Sequence, residues 1–198
     1  MMRILSYLLI AGLVGSSIQC ANRMIGKFKA TDRFIIKTEV GDIEMALFSE
    51  NAPNTVANFI RYVEQGRFED ARFFRVVTPE NQPNDSIRIE VIQGEIVGQE
   101  EGFAAIQLET TRETGLRHLD GAVSMARGAP HTAKSSFFIC IGDQPELDFG
   151  GMRNPDGQGF AAFGQVTKGM DIVKLIQQGA AEGQSLVEPV NISTVKRM

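Results

Sequence analysis

The sequence predicts a mainly β fold, a closed antiparallel barrel with an α-helix at each end, on three observations. Short apolar stretches separated by turn-forming residues run through most of the chain, which is the pattern of antiparallel strands. Two segments instead repeat their apolar residues at helical spacing, and helices with one apolar face suit the ends of a barrel. The 198 residues show neither an internal repeat nor a second domain, so one core is expected.

Residues 1–20 are expected to be a secretory signal peptide. Arg3 supplies a positive charge, residues 4–14 form an apolar run, and Gly15-Ser16-Ser17 offers small residues for cleavage. The run is shorter than the roughly 20 apolar residues of a membrane span, so we expect no integral span in the mature chain. Cys20 leaves a lipid anchor open, although Gln19 stands where a lipidation signal has a small residue. An exported protein of the periplasm or cell envelope is therefore expected.

Residues 21–32 are expected to be a linker, and the folded domain to occupy residues 33–198. The domain begins with a predicted β-hairpin, because apolar residues alternate along residues 34–40 and again along residues 43–48. The pair Gly41-Asp42 between these two arms predicts the turn. The first two strands are therefore expected to be neighbours.

The first helix is predicted to begin at Pro53, where the missing N–H does no harm, and to end at Gly66. Its inward positions, spaced i, i+3, i+4 and i+7, are Val56, Phe59, Ile60 and Val63.

A second helix is predicted over residues 168–178, with Met170, Val173 and Ile176 facing inward. A last strand over residues 190–195 is expected to close the sheet.

One arginine lies among apolar residues in the stretch Phe73-Phe74-Arg75-Val76-Val77. An unpaired buried charge costs several kcal/mol, so this side chain is expected to line a cleft. Gln93 occupies a similar apolar strand and carries an uncharged amide, which can orient a guanidinium without neutralising it. The pattern predicts a cation that is available to a ligand.

These residues belong to a series of segments that resembles the cyclophilin family of peptidyl-prolyl cis-trans isomerases from about Arg33 to the C-terminus. The segments follow the family's order at near-family spacing. They are Gly41-Asp42-Ile43, residues 52–59, Phe73-Phe74-Arg75-Val76, Gln93-Gly94, residues 121–127, Ser136-Phe137-Phe138-Ile139, and residues 163–166 leading to residues 169–173.

The resemblance implies the family's eight-stranded antiparallel barrel capped by two α-helices. It also implies an isomerase that needs no cofactor and acts on proline-containing segments of exported or unfolded proteins. Arg75 would donate to the prolyl nitrogen of the twisted amide, and Gln93 would orient Arg75 and touch the peptide. The residues that would bind substrate are Phe138, Val91, Leu147, Ala126, Arg127, Ser136 and Phe160.

Three positions depart from the family pattern. Glu90 stands where the family has an aromatic residue, and if it pointed inward it could pair with Arg75. Glu146 replaces a tryptophan found in many members, which predicts weak binding of the cyclic peptide inhibitor cyclosporin. Phe160 replaces a common histidine.

Two stretches of turn-forming residues are expected to lie beside the cleft. Residues 78–86 lengthen the connection between Arg75 and Gln93 relative to the family, and we expect an exposed loop that contacts substrate or a partner. Residues 151–159 predict a second loop at the rim, where glycines allow sharp turns.

The remaining features exclude several classes of function. A net charge of −4, with lysines and arginines scattered among acids, argues against a nucleic-acid or anionic-membrane partner. Cys140 lies in an apolar strand and is expected to be a buried small hydrophobe. His118 and His131 are expected to be solvated loop residues, and no group has metal-ligand spacing.

Two other interpretations stay open at this stage. The same fold could serve as a non-catalytic module or chaperone that holds proline peptides without speeding their rotation. A membrane-tethered scaffold, which rests on Cys20 alone, is compatible with either activity. In each case we expect a monomer.

Overall fold

The computed structural model describes Met24 and residues 27–82, 86–98 and 102–198. The strands are β1 (Asp32–Thr38), β2 (Gly41–Leu47), β3 (Ala71–Val77), β4 (Val91–Ile96), β5 (Ala122–Met125), β6 (Phe137–Cys140), β7 (Ala161–Lys168), β8 (Ala181–Glu182) and β9 (Ser185–Arg197). The helices are α1 (Pro53–Glu64), α2 (Thr111–Thr114) and α3 (Met170–Gln177).

Eight of the strands close into an antiparallel barrel, as predicted. They are hydrogen-bonded in the order β1-β2-β7-β5-β6-β4-β3-β9, and β9 pairs back onto β1. Strand β9 closes the barrel because it pairs with a strand on each side. It pairs with β3, as in Ile192 with Ala71, and with β1, as in Val195 with Ile36. The two-residue strand β8 forms a hairpin with β9 outside the ring.

The first hairpin differs from the prediction in the position of its turn. Thr38 pairs directly with Gly41, so the turn consists of Glu39 and Val40, and Gly41 already belongs to β2. Gly41 has a φ of +141°, and a β-carbon there would collide with Ile172 of α3. The glycine is therefore needed for its backbone conformation and for helix packing, and not as a turn residue.

Helix α1 begins at Pro53, as predicted, and its N-terminus is capped from a distance. Ala52, the N-cap residue, has no side chain that could accept a hydrogen bond. The carboxylate of Glu109 accepts the backbone N–H groups of Asn54 and Thr55 at 3.0 and 2.8 Å instead. A negative charge at this end also suits the helix dipole.

The apolar face of α1 closes one end of the barrel. Val56 and Phe59 are buried, as predicted, whereas Ile60 and Val63 are only partly buried. The Phe59 ring lies with its centroid 5.1 to 5.9 Å from the rings of Phe34, Phe68, Phe137 and Phe163.

Helix α3 closes the opposite end. Strand β2 begins at Gly41 beside Ile172 of α3 and ends at Leu47, shortly before α1, so the two helices lie at opposite ends of this strand. Val173 and Ile176 are buried and Met170 is partly buried, which confirms the predicted face. The single-turn helix α2 was not predicted.

The N-terminal segment packs against the domain where the structure describes it. Met24 is buried in the core, and the Phe28 ring lies 6.0 Å from the Phe48 ring. The expected signal peptide, including Cys20, lies outside the described residues. Within the described part of the chain, no helix has the length and apolarity needed to cross a membrane.

Candidate active site

A row of cross-strand partners on the outer wall of the barrel brings three of the predicted site residues together. Arg75 of β3 pairs with Gln93 of β4, and Gln93 pairs with Phe138 of β6. The neighbouring positions Phe73 and Phe137 fill the barrel interior, with their rings 5.8 Å apart. Because side chains alternate across a strand, the row of Arg75, Gln93 and Phe138 faces outward.

A bulge in β3 determines which way Arg75 points. The register of β3 shifts between Phe73 and Arg75 against both neighbouring strands, so Phe74 has no partner. In a regular strand Phe73 and Arg75, which are two positions apart, would lie on the same face. The bulge places the phenylalanine inside the barrel and the arginine outside it.

The guanidinium of Arg75 is held by two neutral amides. Its Nη1 donates to Oε1 of Gln93 at 2.7 Å. Its Nε and Nη2 both donate to Oε1 of Gln184, at 3.0 and 2.5 Å. Three of the five N–H donors of a guanidinium are thus used among the described residues, which leaves one on each terminal nitrogen.

Arg75 is also electrostatically unusual. Burial lowers the pKa of this half-buried guanidinium, and the nearby positive charge of Arg153 lowers it further. In the described part of the chain, no carboxylate forms an ion pair with it. Glu90 does not pair with it either, because that carboxylate accepts a hydrogen bond from Gln177 of α3 at 3.4 Å.

The orientation of the Gln93 amide follows from its second partner, Ser136. The Ser136 hydroxyl donates to the carbonyl oxygen of Gly94 at 2.8 Å, so it can only accept from Gln93. The Nε2 of Gln93 is that donor, at 3.0 Å, which turns Oε1 towards Arg75. Ser136 therefore fixes the amide, and it lines a second depression that adjoins the first.

The arginine opens onto a cavity of about 210 Å³ that six apolar residues line together with polar ones. Phe138 and Phe160 meet edge to face in its wall, with centroids 5.5 Å apart. The residues that line the cavity are Arg75, Ile89, Val91, Gln93, Ala126, Arg127, Phe138, Leu147, Arg153 and Phe160. All predicted site residues except Ser136 are among them.

Comparison with known proteins assigns the chain to a family. The model of the family described as cyclophilin type peptidyl-prolyl cis-trans isomerase/CLD matches residues 33–197. The chain is a cyclophilin. It is 34% identical to the peptidyl-prolyl cis-trans isomerase cyp18 of Streptomyces antibioticus, over 81% of this chain and 95% of that protein. It is 33% identical to peptidyl-prolyl cis-trans isomerase B of Escherichia coli, over 75% of this chain and 85% of that protein.

A solved structure agrees with the fold. The crystal structure of a cyclophilin type peptidyl-prolyl cis-trans isomerase of Cryptosporidium parvum superposes with a TM-score of 0.68 at 19% identity. The match covers 84% of this chain and 97% of the other.

In this cyclophilin, the side chain of Arg127 holds residues 151–159, the rim loop, in place. It is 1% exposed and forms an ion pair with Asp156 at 2.7 Å. Its Nε and Nη2 also donate to the carbonyl oxygen of Gly159, at 2.8 and 2.5 Å. Its position in the cavity wall agrees with the prediction, while its charge is already paired within the protein.

His118 does not lie in solvent, so the prediction for this residue was wrong. It is 1% exposed and its ring stacks behind Phe138, with centroids 6.0 Å apart. Its Nδ1 lies 2.8 Å from Asp148 Oδ1, and its Nε2 lies 2.9 Å from the Ser124 hydroxyl. Burial lowers the pKa of His118, although Asp148 acts in the opposite direction. His131, by contrast, is exposed, as expected.

Cys140 is a buried free thiol, as predicted. Burial raises its pKa, and the carboxylates of Asp148, Asp120 and Asp143 raise it further, so it stays a protonated small hydrophobe. In the described residues no cluster of three or more His, Cys, Asp or Glu side chains could hold a metal ion.

The insertion after β3 is more closely packed than predicted. Gln82 is 2% exposed, and its Nε2 donates to the carbonyl oxygens of Thr78 and Ile89 at 2.7 and 2.8 Å. Ile89 then lines the cavity. The rim loop contacts the residue that follows this insertion, because Nη1 of Arg153 donates to the carbonyl oxygen of Ile87 at 3.0 Å. Residues 83–85 lie outside the described residues.

Three residues of the site were missed from the sequence: Ile89, Arg153 and Gln184. Ile89 could have been found, because Ile87, Ile89 and Val91 alternate with polar residues into β4. Gln184 could not, since it lies 109 positions from Arg75 in a turn without a strand pattern. Arg153 lies in a polar loop where nothing local indicates a contact.

Proposed function

We propose that this cyclophilin accelerates rotation about X-Pro peptide bonds in peptides and unfolded chains, with Arg75 as the catalytic donor and Gln93 as its partner. The observation that carries this proposal is a guanidinium whose hydrogen bonds to the described residues are all to neutral amides, beside a cavity that Phe138 lines. Rotation breaks no bond. Its barrier of about 18–20 kcal/mol comes from amide resonance, which leaves uncatalysed exchange at tens to hundreds of seconds.

Arg75 would act on the nitrogen of the twisting amide. As resonance is lost, the prolyl nitrogen becomes pyramidal and gains a localised lone pair that can accept a hydrogen bond. A fixed cationic donor binds that form better than the planar form, which is the requirement for catalysis. The two N–H groups of Arg75 that remain can make this bond.

The cavity would act on the proline ring and on the carbonyl group. Phe138, Phe160, Val91 and Leu147 offer apolar contacts of the kind that a pyrrolidine ring needs. The planar amide is the more polar form, so a water-poor cavity disfavours the ground state relative to the twisted state. Ala126, Arg127 and Ser136 line the adjoining depression, which an extended peptide would occupy beyond the ring.

The size of the Arg75 contribution can be bounded. A hydrogen bond to a charged group is worth about 1.5–3 kcal/mol. At about 1.36 kcal/mol per factor of ten, that corresponds to roughly ten- to a hundred-fold in rate. Arg75→Ala should therefore lower kcat/KM at least ten-fold.

The test uses the purified protein without residues 1–20 and a series of short X-Pro peptides, with isomerisation followed by exchange NMR. Arg72→Ala is the matched control, because Arg72 lies on the same strand but pairs with Glu95 at 2.9 Å. Turnover in the wild type and in Arg72→Ala, with the loss confined to Arg75→Ala, supports the proposal. Peptide binding without turnover in the wild type would favour the non-catalytic proline-binding module instead.

We also propose that the protein acts outside the cytoplasm on exported clients. The support is the N-terminal pattern of Arg3, an apolar run and small residues before Cys20. The intact mass of the exported protein tests this, because it distinguishes simple cleavage from a lipid attached at Cys20. A mass that retains residues 1–20 would contradict export by cleavage.

A further inference from the structure

Gln184 occupies an edge of the Arg75 guanidinium at which a carboxylate could form a bidentate ion pair. Its Oε1 accepts from both Nε and Nη2, at 3.0 and 2.5 Å. This two-donor edge is the one that arginine offers to acids in bidentate ion pairs. Here one neutral amide oxygen accepts from both donors and adds no negative charge.

The backbone around Gln184 is tied to the strand that carries Arg75. The carbonyl oxygen of Gln184 accepts the N–H of Val76 at 2.9 Å. The next residue, Ser185, is the cross-strand partner of Arg75 itself. The turn between β8 and β9 therefore fixes the position of the Gln184 amide relative to the Arg75 guanidinium.

The two amides together restrain the plane of the guanidinium. Gln93 holds Nη1 from β4, and Gln184 holds the opposite edge from the β8–β9 turn. With only one of them present, the side chain could still rotate about its long axis. Two N–H groups of the guanidinium stay unused in these bonds, and Arg75 lines the same cavity as Phe138.

We propose that Gln184 is a positioning residue, which fixes the Arg75 guanidinium for donation while leaving its positive charge uncompensated. This inference rests on the proposed function of Arg75. The Gln184 side chain then has two roles. It orients the guanidinium, which needs an acceptor at that position, and it leaves the charge unneutralised, which needs that acceptor to be an amide.

The two roles are separated by two variants. Gln184→Glu keeps the acceptor oxygen and the length of the side chain but adds a negative charge, so orientation is retained and the cation is neutralised. Gln184→Leu keeps the bulk but removes the acceptor, so the charge is retained and orientation is lost. Gln107→Glu is the control, because it makes the same chemical change at an exposed position outside the cavity.

The experiment measures kcat and KM separately for one X-Pro peptide, together with the thermal unfolding midpoint of each variant. We expect Gln184→Glu to lower kcat at least ten-fold with KM changed less than two-fold, and its unfolding midpoint to be unchanged or higher. We expect Gln184→Leu to lower kcat and to add no further loss to Arg75→Ala, because both changes remove the same interaction. Gln107→Glu should remain within two-fold of the wild type.

Retention of full kcat by Gln184→Glu would overturn the inference, since neutrality would then be irrelevant. Retention by Gln184→Leu would overturn it equally, since orientation would then come from Gln93 alone. In both cases the wild type still turns over and the proposed function stands. A wild type without turnover would overturn the proposed function, and this inference with it.

Discussion

His118, Ser124 and Asp148 form a chain of hydrogen bonds in the order that hydrolases use for a nucleophilic serine. Here the chain cannot meet a substrate, because Ser124 is fully buried and the Phe138 ring covers the histidine. Burial acts to raise the pKa of Asp148, but its hydrogen bonds from His118 and Arg117 outweigh this effect and lower it. The three residues therefore support the aromatic floor of the cavity from behind.

This buried chain predicts a loss of stability in acid. The pKa of His118 is lowered from 6.5, so below that pH the unfolded chain binds a proton that the folded protein resists. The pKa of Asp148 is lowered from 3.8, so its contribution is present above that pH and is lost as the pH falls through the folded value. Both groups therefore lower the free energy of unfolding as the pH falls.

Urea unfolding at about pH 7 and about pH 5 checks this prediction, and the free energy of unfolding should be smaller at the lower pH. His118→Gln should be less stable at pH 7 but should lose less on acidification. Gln107→Ala, which removes no titratable group and lies at an exposed position, should keep the acid dependence of the wild type. Identical acid dependence in all three proteins would contradict the assignment to His118.

Glu146 is the residue at which inhibitor binding should depart from that of the family. Its carboxylate accepts the N–H of Met152 at 2.9 Å, so it stabilises the rim loop where many cyclophilins offer a tryptophan. We expect cyclosporin to bind weakly, with a dissociation constant in the micromolar range or higher, and Glu146→Trp to bind it more tightly. Calorimetric titration measures both constants, and a submicromolar value for the wild type would refute the prediction.

At the scale of elements, the β3 bulge and the β8–β9 turn set the site, and neither has a signature in the sequence. Alternation along Phe73-Phe74-Arg75 suggests that the first and third residues share a face, which the bulge reverses. Arg75 nevertheless lines the cavity, as the cost of burying an unpaired charge predicts whatever its place in the alternation.

The insertion between β3 and β4 should contribute to both stability and binding through Gln82. Gln82→Ala would remove the hydrogen bonds to the carbonyl oxygens of Thr78 and Ile89 and to the N–H of Ile89, at a cost of about 1–3 kcal/mol in the free energy of unfolding. Because Ile89 lines the cavity, KM for an X-Pro peptide should also rise. Chemical denaturation and steady-state kinetics measure the two effects.

Gln107→Ala provides the control for this element, since it removes the same amide from an exposed position. It should leave both quantities unchanged. A Gln82→Ala protein with wild-type stability and wild-type KM would show that the insertion is merely an exposed loop.

At the scale of the whole molecule, the sequence predicted the barrel and its capping helices more completely than it predicted the site. Helices α1 and α3 have strong periodicity, and the pattern of Val56 and Phe59 is local information. Contacts such as Arg75 with Gln184, or His118 with Ser124 behind Phe138, depend on which strands become neighbours. That order comes from the closed sheet and is not encoded in any single segment.

Closure by β9 predicts an all-or-none response to truncation. Removal of residues 191–198 would take away every β9 residue that pairs with β1 and two of the four that pair with β3, which opens the barrel between β9 and β1. We expect no cooperative thermal transition and the loss of the near-ultraviolet circular dichroism signal. Removal of Met198 alone, which is 63% exposed, should leave both unchanged. A cooperative transition in the longer truncation would contradict closure of the barrel by β9.

The row of Arg75, Gln93 and Phe138 is assembled from three strands, and each supplies its side chain through hydrogen-bonded alignment with the next. A slip of one residue in any of these alignments would turn that side chain into the hydrophobic interior. Misaligned molecules would therefore have no catalytic activity, and the measured turnover would be proportional to the fraction of correctly folded molecules. Measured during refolding, the specific activity would follow the population of native barrels, without a contribution from intermediates.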